Sequence, residues 1–303
     1  MLYLQHKEIN KTQWDDCIQN AENRLIYAHS FYLDAMSPGW DALIDKNYNW
    51  ALPITKGSKF GIRYLFQPHF TQQLGVFFKR GAIIPWQEII SLLQKKFPFW
   101  EVNWNYSTPP NLLPLSLKID AATNFIIDLS KAYNEIAGNY QNVLKKNLKR
   151  ANNVGLKYNT VKDHTNATHF YKKYYSQRMP HLKDEHFTAF KRVCDRAGNN
   201  GVVCREAVDV NNKTMSIALL LCDGQRLYNT MDTTTNEGRK AQANHFLINA
   251  IIKEFAETKL LLDFEGSDLA GVKTFYESFG AINQPYYNIR YNNLAWPFRL
   301  FKK

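Results

Sequence analysis

Between Gly201 and Asp232 three extended, largely apolar runs follow one another almost without interruption: Gly201 to Val208, Met215 to Leu221 and Arg226 to Asp232. Asn211-Asn212-Lys213 joins the first two and Cys222-Asp223-Gly224-Gln225 the last two. Asp-Gly between apolar runs is a strong hairpin signal, because Gly accepts the positive φ of a tight turn. Links this short cannot cross over a sheet, so the three runs are predicted to form an antiparallel meander. A helix over Ala243 to Glu257 and the apolar run Leu260-Leu261-Leu262-Asp263-Phe264 come next. A crossing helix of that length sets the new strand parallel beside the third meander strand. The polar stretch from Thr233 to Lys240 opens the crossing helix. Its free N–H groups and partial positive charge suit a phosphate or carboxylate, and Arg239 and Lys240 add to that field. A helix over about Leu269–Phe279, a Gly280 stop and a closing strand around Tyr286–Tyr291 complete the order.

The 123–200 segment reads as a strand at Phe125-Ile126-Ile127-Asp128-Leu129, then one long helix capped by Ser130 and carrying Tyr133, Ile136, Tyr140, Val143, Leu144, Leu148 and Ala151 on its apolar face. Gly155 ends it, Leu156 to Val161 is extended, and helices follow over about Ala167–Arg178 and Asp184–Arg196. Residues 1–122 read as a short strand, a helix from about Thr12, a hairpin, a helix over about Pro85–Lys96 and a strand from Phe99 to Tyr106. In that hairpin Trp50 to Ile54 and Phe60 to Phe66 pair across a Lys56-Gly57-Ser58-Lys59 turn. Ser107-Thr108-Pro109-Pro110-Asn111 begins an aperiodic joint, since these prolines continue neither a helix nor a central strand. Domains 1–122 and 123–303 are therefore expected.

Of the 303 residues 45% are apolar and 21% charged, the balance of a folded globular chain rather than a disordered one. No apolar run approaches the ~20 residues of a membrane span. The start, Met1 to Glu8, lacks a basic segment followed by an apolar one, so a cytoplasmic location is expected. The four cysteines (Cys17, Cys194, Cys204, Cys222) show no C-x-x-C spacing, and the eight His no H-E-x-x-H order, so no metal site is expected. No G-x-S-x-G or Walker loop occurs. Charge is uneven: residues 1–122 hold 12 Lys+Arg and 10 Asp+Glu, and the remainder of the totals 38 and 27, that is 26 and 17, lies in 123–303. That excess of +9 points to an anionic partner of the second half or to general solubility charge.

Several segments resemble the acetyltransferase (GNAT) superfamily, and in combination its FemAB-type branch. They are Phe125-Ile126-Ile127-Asp128-Leu129 leading into Val143-Leu144-Lys145-Lys146-Asn147-Leu148-Lys149-Arg150-Ala151, then Gly155-Leu156, then Gly238-Arg239. Leu262-Asp263-Phe264-Glu265-Gly266-Ser267 and Gly271 to Ala281 follow. The resemblance implies an α+β chain of two tandem GNAT-like domains, each a mixed, mostly antiparallel sheet flanked by helices, with the reaction in the second. It implies acyl or aminoacyl transfer to an amine-bearing acceptor, a peptide or small molecule, with aminoacyl-tRNA or acyl-CoA as co-substrate and no firmly implied cofactor. The superfamily pyrophosphate loop reads Gln/Arg-x-x-Gly-x-Gly/Ala. The matching positions here are Arg239-Lys240-Ala241-Gln242-Ala243-Asn244, so Gly238, Arg239, Lys240, Gln242 and Asn244 are the donor-binding candidates. Side chains at 242 and 244 obstruct close approach of a pyrophosphate to the backbone, which lowers acyl-CoA against another donor.

Acyl transfer needs donors for the carbonyl oxygen, a route for the amine proton and an acid for the leaving group. The resemblance implies that backbone N–H groups from about Asn229–Asp232 meet the carbonyl and that Tyr276 protonates the leaving group; a packing tyrosine is the alternative. Asp263 and Asp232, each ending an apolar run, are candidate bases, though both are open to a surface or capping role and only one of Asp263 and Glu265 can face the cleft. Lys145, Lys146, Lys149 and Arg150 repeat at i,i+4 and form one stripe, either a contact to the phosphates of tRNA or a solvated face. A catalytically inactive module binding a peptide, glycan or nucleic acid in the inter-domain groove is the alternative to an enzyme.

Overall fold

The computed structural model describes residues 1–175, 179, 181–198, 200–266, 269–296 and 299. Arg178 and Ser267, expected at the ends of a helix and a strand, lie outside the described residues. Two compact units divide the chain: Met1–Ala122 together with Pro285–Lys303, and Thr123–Gln284.

The first unit holds β1 (Leu2–Leu4), α1 (Lys11–Gln19), α2 (Ser30–Met36), β2 (Asp41–Ile44), β3 (Trp50–Ile54), β4 (Lys56–Lys59), β5 (Ile62–Phe66), β6 (Phe77–Phe78), α3 (Trp86–Lys96), β7 (Phe99–Trp104) and β8 (Lys118–Ala122). One sheet runs β1-β2-β3-β6; the other runs β4-β5-β7, the strand Tyr286–Asn292, then β8. Two expectations are corrected here. Lys56–Lys59 is a strand, paired with β5 across Phe60 and Gly61 at φ 53° and 76°, and β3 pairs instead with β2 and β6. A two-residue loop with both central φ positive suits the twist of a hairpin, so the reversal comes at Phe60-Gly61 and not within the polar run before it. The strand Tyr286–Asn292, expected to close the second domain, pairs with β7 and β8 in the first.

The second unit holds β9 (Phe125–Asp128), α4 (Tyr133–Gly138), α5 (Asn142–Asn153), β10 (Lys157–Thr160), α6 (Thr165–Tyr175), α7 (Asp184–Ala197), β11 (Val202–Val208), β12 (Thr214–Cys222), β13 (Arg226–Thr234), α8 (Asn236–Lys240), α9 (Ala243–Phe255), β14 (Leu261–Asp263), α10 (Ala270–Ser278) and β15 (Ile282–Asn283). Its sheet runs β10-β11-β12-β13-β14-β9-β15. The meander is β11-β12-β13, antiparallel throughout, and β14 joins β13 in parallel, as the order of elements predicts. The expected long helix is two. Gln141, extended at φ −66° and ψ 153°, donates its N–H to the Ser278 carbonyl and turns the chain between α4 and α5. Likewise the start of the crossing helix is the separate turn α8, because Gln242 is left-handed at φ 59°.

Helix α9 covers one face of the meander, with Leu247, Ile248, Ile251 and Ile252 fully buried in a core shared with Ala218, Leu220, Leu227 and Leu262. On its outer side lies α5 through Leu144 and Leu148. From the other side of the sheet α6 packs on β12 and β13. Ile251 thus stands between helix and sheet with no room to collapse, and Ile251→Ala is expected to cost about 2–5 kcal/mol in denaturant unfolding.

Candidate functional site

The ladder between β13 and its neighbours stops abruptly. The β13–β14 pairing runs Arg226 with Leu261, Leu227 with Leu262 and Tyr228 with Asp263, and ends there. The next N–H on the edge facing β13, that of Glu265, donates to Asp263 Oδ1 at 3.0 Å, while Phe264 continues the ladder to the Phe125 carbonyl of β9, so the chain after β14 leaves β13. At the same level the β12–β13 register slips by one residue between Leu219 and Leu221, leaving Asn229 and Thr230 together opposite Leu220. Such a bulge bends a strand and increases its twist. One strand therefore departs where the other bends.

Beyond the bulge, Thr235 N–H donates to the Met215 carbonyl, which makes Thr233 and Met231 the residues bonded to β12. The N–H groups of Asp232 and Thr234 then point toward the edge that β14 has vacated. Paired N–H groups aimed at one opening are what a carbonyl oxygen gaining charge requires.

Side chains around the opening carry unusual polarity. Asp232 Oδ2 accepts from Asn244 Nδ2 at 2.9 Å, while Asp232 Oδ1 is buried without a partner. Burial pushes the Asp232 carboxyl up to about 6, against the opposing pull of its amide neighbours Asn244 and Asn229. Both side-chain atoms of Asn229 and the hydroxyl of Thr233 are also buried without hydrogen bonds. Tyr276, 9% exposed, stacks on Phe264 at 4.4 Å between ring centres. Desolvation raises its phenol first, and Asp232, Glu265, Tyr175 and Tyr171 add to the rise, so it stays protonated at neutral pH. Desolvation likewise raises Tyr171 on α6, with Asp232 and Glu265 contributing. The phenols of α6 and α10 thus both lie within electrostatic range of Asp232.

The remaining expected residues are arranged differently from one another. Asp263 is 1% exposed and bonds Arg226 at 2.8 Å; Arg226 also reaches Gln284 Oε1 at 2.9 Å. Its carboxylate is held in a buried ion pair just where the strands part, which removes it as a free base. Gly238 owes its identity to the fold: a Cβ there would lie 2.1 Å from the Met215 carbonyl oxygen. Its N–H donates to the capping Thr235 Oγ1 at 2.9 Å. Arg239 and Lys240 are exposed on α8. Gln242 turns its amide back on the Arg239 carbonyl at 3.3 Å, and Asn244 turns inward to Asp232 and Ser216. Lys145, Lys146, Lys149 and Arg150 are exposed on α5 and form no ion pair among the described residues. Between them Asn147 meets His245, in the first turn of α9, at 3.3 Å. Desolvation lowers His245 to about 4, so it adds no charge there.

Sequence reading missed Asn229, Ser216, Arg226 and Tyr171. For the first three, polar residues on strands covered on both faces are the available signal, since such strands normally read as continuous apolar runs; Tyr171, on α6, carries no such signal. Among the described residues no group of three or more His, Cys, Asp or Glu is placed to hold a metal ion, and no helix is long and apolar enough to cross a membrane.

No protein-family model and no curated protein matches the chain. Solved structures do. A structure of FemX superposes with a TM-score of 0.65 at 13% identity over 100% of both chains. The structure of L-PGS from Bacillus licheniformis gives 0.58 at 9%, covering 96% of this chain and 94% of that one. The C-terminal domain of a putative lysylphosphatidylglycerol synthetase from Agrobacterium fabrum gives 0.54 at 11%, covering 93% and 91%. At these identities the likeness is one of fold: the chain has a FemX-like α+β fold.

Two stability measurements follow from this geometry. Asp263→Asn leaves Arg226 buried and uncompensated and is expected to cost about 3–5 kcal/mol. Asp232 behaves oppositely. Its carboxyl is raised in the folded state, so the stability it lends is complete below about 4, its unfolded value, and is lost as pH rises through about 6. Asp232→Asn should therefore raise unfolding stability at pH 8 by roughly 2–3 kcal/mol and change little at pH 4.

Proposed function

We propose that the protein transfers an acyl group, from an aminoacyl ester in preference to an acyl-CoA thioester, onto an amine. The observation that carries this reading is the opening between β13 and the chain after β14, with two strand N–H groups, a carboxylate near neutrality and a protonated phenol around it. The donor carbonyl oxygen takes the N–H groups of Asp232 and Thr234. The amine nitrogen attacks the carbonyl carbon and a C–N bond forms. Asp232 Oδ1 takes the proton that nitrogen must shed. The bond from carbon to the leaving oxygen breaks, and Tyr276 supplies that oxygen with a proton.

Preference for an aminoacyl ester rests on the loop between α8 and α9. A pyrophosphate needs bare backbone there, whereas Gln242 carries a side chain in a left-handed turn and Asn244 is committed to Asp232. The exposed α5 stripe beside the start of α9 suits the phosphates of a tRNA acceptor end better than a single diphosphate. The FemX and L-PGS folds are consistent with such chemistry.

Transfer assays with charged tRNA and with acyl-CoA, over a panel of amine acceptors, test this. Turnover with charged tRNA is expected, with an acid limb near pH 6 from Asp232. Asp232→Asn and Tyr276→Phe should each lower turnover by about 10²–10⁴-fold. Neutralising Lys146 and Arg150 to Gln should weaken tRNA binding and reduce its log–log salt slope by about 1–2. Absence of transfer with either donor would leave a binding module in place of the enzyme.

A further inference from the structure

Asn244 stands where the superfamily loop carries a small residue, and its contacts account for the difference. Its Nδ2 donates to Asp232 Oδ2 at 2.9 Å, and its Oδ1 accepts from Ser216 Oγ at 3.4 Å. Ser216, itself 0% exposed, shares that one hydroxyl proton between Asn244 Oδ1 and the Thr233 carbonyl at 3.2 Å, and its oxygen lies 3.0 Å from Thr234 Oγ1. The polar chain therefore runs from β12 through the first turn of α9 to β13 and ends on one oxygen of one carboxylate. Asp232 Oδ1 remains buried and unpartnered.

We infer that Asn244 is a positioning residue for Asp232: anchored by Ser216, it occupies Oδ2 and so leaves Oδ1 as the oxygen that meets the reacting amine. This rests on the reading of Asp232 as the proton acceptor. An amide suits the task better than a charged group. It orients the carboxylate by donating to its ionised form, and adds no net charge to a site that must receive a proton. The same side chain removes the bare backbone a pyrophosphate needs, so a single residue both places the base and selects against one donor class.

Groups facing Asp232 from the surrounding elements are Tyr276 on α10 and Tyr171 on α6, with Glu265 and Tyr175 also within electrostatic reach of both phenols; β12 presents only the neutral Ser216. On β13 itself the amide of Asn229 also faces the carboxylate, but its side-chain atoms make no hydrogen bond, so loss of Asn244 removes the bond that holds Oδ2 and leaves Asn229 as the remaining amide.

Carboxyl titration by NMR of protein labelled with ¹³C at aspartate tests the inference without any need for turnover, with Asp232→Asn to assign the signal. Removing a hydrogen bond to the ionised form should move the Asp232 midpoint upward by about one pH unit or more in Asn244→Ala. A smaller shift in the same direction is expected in Ser216→Ala, which loosens the anchor and keeps the amide. Thermal unfolding of both variants checks that they are folded, and if Asn244→Ala does not fold, Ser216→Ala and Asn244→Ser decide alone. An unchanged midpoint in the folded variants overturns the inference. A midpoint that moves while the acid limb of turnover does not would uphold the positioning role and overturn Asp232 as the base.

Discussion

The second unit depends on where one backbone N–H goes. The N–H of Glu265, next after Asp263 on the edge that faces β13, donates to the Asp263 carboxylate and not to β13, and the opening follows from that choice. Up to Asp263 the parallel pairing is held from within by the Arg226–Asp263 ion pair, one residue from each strand, both almost fully buried. Past Asp263 the chain is drawn onto β9, where Gly266 packs so close to the Thr123 carbonyl that a Cβ would lie 2.0 Å away. The ion pair marks the end of the zipped segment, and the β9 contact prevents it from continuing. A bulge at Asn229–Thr230 turns β13 the other way.

An opening in a sheet leaves polar groups without their ladder partners, and this one concentrates them. Asn229, Asp232 and Thr233 keep four unpartnered buried side-chain atoms within five residues of β13. In a purely structural strand each such atom costs about 1–3 kcal/mol. Chains retain such arrangements where a ligand supplies the missing partners, and the raised carboxyl of Asp232 belongs to the same economy. Asp263, of the same residue type and some strand positions away, shows the contrast: a guanidinium satisfies it, and it serves stability alone.

Much of this was legible in the sequence. Short polar links fixed the meander, and a helix of crossing length fixed the parallel strand beside it. Of the candidates, Asn244 bonds Asp232 and Tyr276 lies within electrostatic range of it. What could not be read was long-range pairing. Nothing local says that Tyr286–Asn292 belongs with β7 and β8, or that Lys56–Lys59 is a strand when its polar, glycine-containing sequence resembles a turn. Asp263 was read as a base because its partner Arg226 is remote in sequence and adjacent only through the parallel register. Gly238 was read as a ligand contact, whereas the Met215 carbonyl, again distant along the chain, is what excludes a side chain.

Amide hydrogen exchange along β13 probes the parting of the strands most directly. Met231 and Thr233, bonded to β12, should exchange slowly, and Asp232 and Thr234, facing the opening, should exchange far faster, giving an alternating pattern that fades toward Leu227, where β14 is paired on the other side. Uniformly slow exchange from Leu227 to Thr234 would mean that both edges of the strand are closed, and the proposed carbonyl site would not exist.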